Sequence, residues 1–181
     1  MTRVVSFNIN GVRARPHQIE ALKQRYDPDI IGLQETKVQD AEFPREMIEA
    51  LGYQVAYYGQ KGHYGVALLS KEPPVSVSYG FPGEDAEAQR RLIAGTYRIG
   101  ERELTVINGY FPQGESRDHP VKFPHKQRFY AELSQTLAQG YTTGQDLLLI
   151  GDMITTVRQP IFEMGKKSAD LVCDWIARGH M

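Results

Sequence analysis

Short runs of alternating apolar and polar positions fill most of the chain, broken by a few stretches of helical period. Val4-Val5-Ser6-Phe7-Asn8-Ile9 is rich in β-branched and aromatic residues and is punctuated by Asn10-Gly11, which predicts a first strand. From Pro16 to Tyr26, the residues Ile19, Leu22 and Tyr26 share one face of a helix that Pro28 cuts off. Ile30-Ile31-Gly32-Leu33-Gln34 is almost continuously apolar, the pattern of a strand buried on both faces. A short helix is expected over residues 43–50, and strands over 53–58, 65–70, 75–79, 92–97 and 104–110. Residues 111–124 form a polar loop, 126–137 a helix, and 146–150 a last strand that ends in Gly151-Asp152. Strands follow one another between residues 53 and 110 without helices between them, which excludes a purely parallel sheet. The pattern predicts an α/β fold with a mixed β-sheet layered with helices.

The character of the chain changes at residue 154. Beyond Pro160, the residues Ile161, Met164, Ser168, Leu171, Val172, Trp175 and Ile176 recur at helical spacing up to Gly179. This divides the chain into residues 1–153 and a tail, 154–181, whose amphipathic helix is expected to dock on the same core.

Composition narrows the class without choosing a function. A chain of 181 residues with 41% hydrophobic content suits a single core, and a formal net charge of -1 supplies no global field for nucleic acid. A local basic face remains compatible with that total. The longest apolar run, Leu147-Leu148-Leu149-Ile150, is far too short to span a bilayer, so no membrane partner is expected. The N-terminus runs straight into strand-like sequence without the features of a signal peptide. Cys173 is the sole cysteine, which rules out an internal disulfide and points to a reducing cytoplasm.

Four apolar strands end in polar groups suited to metal and phosphate chemistry: Asn8, Glu35, Tyr110 and Asp152. In open α/β sheets ligands gather beyond the carboxyl ends of strands. Mg²⁺ takes oxygen ligands, with one or two carboxylates and waters completing its shell. Glu35 offers the carboxylate and Asn8 a side-chain oxygen, Tyr110 can hydrogen-bond a phosphate oxygen, and Asp152 can orient or deprotonate a water. A purely structural alternative stands beside this one. In it Asn8 makes an Asx-turn, Glu35 pairs with Lys37, and Asp152 caps the next segment.

Ser6-Phe7-Asn8-Ile9-Asn10-Gly11 with Arg13-Ala14-Arg15, Gly32-Leu33-Gln34-Glu35-Thr36-Lys37 and Gly62-His63-Tyr64-Gly65-Val66-Ala67 occur in that order. Asn108-Gly109-Tyr110-Phe111-Pro112-Gln113-Gly114 and Leu149-Ile150-Gly151-Asp152 complete the series. Together they resemble the first half of the exonuclease III family of apurinic/apyrimidinic endonucleases. The resemblance implies half of a four-layer α/β sandwich and dependence on Mg²⁺ or Mn²⁺. It also implies phosphodiester hydrolysis at abasic sites and DNA 3′ ends. Glu35 and Asn8 resemble the family's metal-side residues, and Tyr110 and Asp152 its catalytic tyrosine and aspartate. Arg91 and Gln113 match DNA-facing positions. Arg13, Arg15, Lys37, Lys122 and Lys126 are further cations open to DNA.

The sequence also departs from that family. Where the motif after the last strand carries asparagine, this chain has Ile154, and the second-half aspartate and Ser-Asp-His-x-Pro motif are absent. The Asp118-His119 pair lies in the loop of the first half and is read as an ordinary loop feature. Thr155-Thr156-Val157-Arg158-Gln159-Pro160-Ile161-Phe162-Glu163-Met164-Gly165 resembles a segment of LacI-type transcriptional regulators, which suggests a shuffled or engineered fusion. Two functions are therefore in play: a truncated metal-dependent DNA nuclease with little activity alone, or a non-catalytic chimera whose role is folding or self-assembly. A half-domain is further expected to carry one sheet with a bare inner face, and hence to form a homodimer through it.

Overall fold

The computed structural model describes residues 2–85 and 87–153. The tail helix, Cys173, Ile154 and the LacI-like segment all lie outside the described residues. The chain divides into two compact units, the first made of residues 1–110 and 147–152, the second of 111–146 and 153–181.

The first unit holds two four-stranded sheets. Strands β1 (Val4–Asn8), β2 (Ile30–Gln34), β3 (Gln54–Tyr58) and β4 (Val66–Ser70) form one, in the order β1-β2-β4-β3. Strand β1 runs parallel to β2, while β2 and β3 run antiparallel to β4. Strands β5 (Ser76–Tyr79), β6 (Leu92–Ile99), β7 (Arg102–Tyr110) and β8 (Asp146–Asp152) form the other, in sequence order. Helix α1 (Pro16–Tyr26) is the crossover that lets β1 and β2 lie parallel, and α2 (Arg45–Ala50) precedes β3.

Side-chain alternation assigns the two faces of the first sheet. Ile31 and Leu33 of β2 with Ala67 and Leu69 of β4 turn outward, onto Ile19 and Leu22 of α1 and Met47 and Ile48 of α2. The alternate residues Ile30, Val66 and Leu68 turn inward and meet Ile93, Tyr97 and Val106 of the second sheet. A strand with helices on one face and a sheet on the other is apolar at nearly every position, which is why all five residues of β2 and of β4 are buried.

This arrangement overturns the expectation of a single sheet with a bare inner face. Among the described residues the inner faces of the two sheets cover each other within one chain, so the bare sheet face from which a homodimer was expected is not found there. Sequence period identifies a strand but not which strands share a sheet, and that gap produced the error.

The second unit contains α3 (Lys122–Gly140), which begins four residues before the helix expected from sequence. Pro124 masks the start, yet proline is tolerated in a first turn, where its missing N–H has no intrahelical partner. The Nδ1 atom of His119 accepts hydrogen bonds from the backbone N–H groups of Val121 at 3.3 Å and Lys122 at 3.0 Å. His119 therefore serves local helix initiation, with its Nε2 turned to Glu115 at 3.3 Å. Phe111, Phe129 and Tyr130 pack against one another in edge-on and tilted arrangements within the same unit. Among the described residues no helix is long and apolar enough to cross a membrane.

Candidate active site

The loop that follows β2 is wound tightly. Glu35 and Lys37 both take left-handed backbone conformations, at φ 53° and 55°, which cost energy in any residue with a Cβ. Neighbours on both sides hold them there. Gly11 and Val12 donate backbone N–H bonds to the carbonyls of Glu35 and Thr36, at 2.7 and 3.1 Å. Thr36 and Lys37 donate in turn to the carbonyls of Gly65 and Tyr64, at 3.1 and 3.0 Å. With the Thr36 side chain buried between them, Glu35 and Lys37 stand side by side.

Three of the four strand-end groups meet through one atom. The Nδ2 of Asn8 donates to Glu35 Oε1 at 2.9 Å and to Asp152 Oδ2 at 2.7 Å. Asn8 ends β1 of the first sheet and Asp152 ends β8 of the second, so this contact spans the two sheets at one rim. The fourth group, the Tyr110 hydroxyl, lies near enough to Glu35 for each to shift the other's titration. Parts of the structural alternative hold as well: Asn8 Oδ1 accepts from the N–H of Asn10 at 3.0 Å, an Asx-turn, and Lys37 Nζ lies 2.8 Å from Glu35 Oε2. The side-chain oxygen of Asn8 anticipated as a metal ligand is thus engaged by its own turn. In this structure Asn8 acts as the amide that draws two carboxylates together.

The electrostatics follow from these contacts. Burial pushes the Glu35 carboxyl upward, but the neighbouring Lys37, Asn8 and Tyr110 side chains outweigh it and hold the group below its ordinary range. Burial, followed by the Glu35 charge, pushes the Tyr110 phenol up to about 12. At neutral pH the site therefore presents an ionised Glu35 beside a protonated Tyr110 that can donate a hydrogen bond.

Arg91 is a largely buried cation. It is only 9% exposed, and its guanidinium lies 4.3 Å from the Tyr64 ring centre and 4.8 Å from that of Tyr110. It donates from Nε to Gln89 at 2.7 Å and from a terminal nitrogen to the Tyr110 carbonyl at 3.0 Å. Arg91 thus sits behind Tyr110 and supports its ring. Lys126, expected as a surface cation, is 2% exposed. Gln113 lies in the second unit and is exposed. Arg13 is exposed and pairs with Glu42 at 2.7 Å, and Arg15 donates to the Asn10 carbonyl.

Sequence reasoning gave no site role to Tyr64, Gln34 or Asn108. Asn108 is fully buried in β7, where its amide bonds the Leu33 and Ala67 carbonyls, each at 2.9 Å, and Gln34 Nε2 at 2.6 Å. A polar residue directly after the apolar pair Val106-Ile107, in the buried part of β7, was the available signal.

The donor set fits a hard divalent cation. Glu35 and Asp152 supply carboxylates close enough to share one N–H₂ group, and Mg²⁺ commonly takes one or two carboxylates and keeps its remaining waters. Among the described residues no group of three or more His, Cys, Asp or Glu side chains comes together.

Residues 5–153 match the endonuclease/exonuclease/phosphatase family. Exodeoxyribonuclease III of Haemophilus influenzae is 54% identical over 151 residues, covering 83% of this chain and 57% of that protein. Two solved structures align closely. An AP endonuclease from Archaeoglobus fulgidus has 33% identity and TM-score 0.77, covering 89% of this chain and 60% of that one. A 3′ phosphatase from Neisseria bound to a product DNA hairpin has 32% identity and TM-score 0.75, covering 84% and 57%. The chain thus spans between half and two thirds of the length of each of these proteins.

Proposed function

Because the chain belongs to the endonuclease/exonuclease/phosphatase family, we propose that it carries the cation-binding half of an exonuclease III-type DNA phosphodiesterase. The observation that supports this most directly is the Asn8 amide shared between Glu35 and Asp152. Glu35 and Asp152 would hold Mg²⁺ or Mn²⁺, which when bound neutralises phosphate charge and polarises the phosphorus toward attack. Asn8 positions both carboxylates through Nδ2, and its Oδ1, which accepts one bond from the Asn10 N–H, keeps a second lone pair for the ion. The Tyr110 hydroxyl donates to a non-bridging phosphate oxygen, and its raised pKa keeps the proton in place at neutral pH. Asp152 orients a water and accepts its proton as the new P–O bond forms and the bond to the leaving sugar oxygen breaks. Arg91 holds Tyr110 from behind through ring stacking and the Tyr110 carbonyl.

The substrate is DNA, with abasic sites and 3′ ends as the positions cut, by similarity to the Haemophilus, Archaeoglobus and Neisseria proteins. Concerted catalytic groups lose most of their effect when any member is missing, so removal of Glu35 should abolish most of the activity. The test is incision of a duplex carrying one abasic site, with Mg²⁺, by the chain and by its Glu35→Ala variant. Slow Mg²⁺-dependent incision by the chain and none by the variant is the expected result. Equal background from both would remove the nuclease reading.

A further inference from the structure

The geometry around Glu35 points to a second occupant of the proposed cation site, and this inference rests on that proposed site. We propose that Lys37 is a built-in counter-cation that occupies the Glu35 end of the site and must be displaced when the divalent ion binds.

Lys37 Nζ lies 2.8 Å from Glu35 Oε2 and also donates to Asn10 Oδ1. An ammonium surrounded by a carboxylate oxygen and an amide oxygen takes up the kind of ligands that a hard metal ion would use. The other oxygen of Glu35 is held by Asn8, so the Oε2 side is the one facing a competing cation. The pairing is not an accident of two long side chains on a loose surface. Both residues sit in left-handed backbone conformations, fixed by hydrogen bonds to residues 11–12 on one side and 64–65 on the other. The Lys37 side chain is 34% exposed and that of Glu35 17%, so the ammonium has a route into solvent that the carboxylate lacks. A divalent ion on Glu35 and an ammonium on the same carboxylate repel, and the longer, more exposed partner is the one that leaves.

Two consequences follow. Without metal, Lys37 keeps Glu35 compensated and the loop in place. With metal, part of the ion's binding energy is spent on displacing Lys37, so the chain binds Mg²⁺ or Mn²⁺ more weakly than its carboxylates alone would allow.

The experiment measures Mn²⁺ affinity by the paramagnetic resonance signal of free Mn²⁺, for the whole chain and for Lys37→Met, Lys37→Arg and Glu35→Gln. Thermal melting is followed with and without Mn²⁺. Lys37→Met should bind Mn²⁺ about fivefold more tightly, the size of effect a partly exposed ion pair can exert. Lys37→Arg, which keeps the charge, should stay near the parent, and Glu35→Gln should bind more weakly than any of them. The Lys37→Met protein should melt below the parent without Mn²⁺ and recover with it, a pattern that a merely structural lysine would not give. Unchanged or weaker binding by Lys37→Met, with Glu35→Gln still the weakest, overturns the counter-cation while leaving the cation site standing. Identical affinity in all four proteins overturns the site and the counter-cation together.

Discussion

Replacing Asn108 with leucine is expected to destabilise the chain by about 2–6 kcal/mol, because it removes the side-chain donor from two buried carbonyls at once. The amide reaches from β7 into the opposite sheet, where it bonds the carbonyls of Leu33 and Ala67 and the Gln34 side chain. Gln34 keeps its bonds to Ser6 and the Gly32 carbonyl, but both backbone carbonyls are left without the Asn108 donor. Each buried group left unpaired costs about 1–3 kcal/mol, and leucine brings no compensating fit. A Cβ added at Gly32 would already approach the Asn108 side chain to 2.9 Å, so the space between the sheets is closed at this point. Urea unfolding should show a lower midpoint with an unchanged slope. A loss under about 1 kcal/mol would mean that water replaces the amide and that the two sheets are not joined here as described.

The second large effect belongs to Gly65. Its φ of +83° is left-handed, and a Cβ at this position would fall on Thr36 Oγ1, the buried hydroxyl between Glu35 and Lys37. Gly65→Ala combines a backbone penalty of about 1–2 kcal/mol with a steric one of about 1–3 kcal/mol. The Gly65 carbonyl also accepts from the N–H of Thr36, so the displacement passes directly to the Glu35 loop. The variant should lose stability and, with it, affinity for Mn²⁺. Adding Thr36→Ala should recover the steric part and leave the backbone part, a coupling that a double-mutant cycle measures. Additive effects of the two substitutions would place the cost elsewhere than in this contact.

Much of this arrangement could be read from residues in sequence. Strand β2 announces itself through unbroken apolar character, and the residue just beyond its end is Glu35. The same logic led to Asn8, Tyr110 and Asp152, because a buried strand must turn polar where it leaves the core. What sequence could not supply was partnership across distance. That β1 and β8 end at a common rim depends on two sheets packing face to face, and periodicity within one strand says nothing of the sheet opposite. Arg91 looked like a surface cation because arginine usually is one. Its burial depends on Tyr64 and Tyr110, which come from separate parts of the chain and are ring partners only after folding. The orientation of the Asn8 amide was equally hidden. Asparagine offers an oxygen and a nitrogen, and only the neighbouring carboxylates and the Asn10 N–H decide which faces the site.

The second unit gives a smaller instance of the same limit. His119 beside Asp118 has the look of a catalytic pair, yet its ring accepts the first free N–H groups of α3. The start of that helix was obscured by Pro124 because proline usually signals an end, although in a first turn it does not.

Side chains ending strands of two different sheets are proposed to form one divalent-cation site. Mn²⁺-induced line broadening of backbone amide signals tests it residue by residue. Substoichiometric Mn²⁺ should broaden the amides of residues 8–10, 35–37 and 151–152 together and first, with those of β5 unaffected, and Glu35→Gln should weaken the whole pattern. Broadening at Glu35 without Asp152, or spread evenly over the acidic surface, would contradict it.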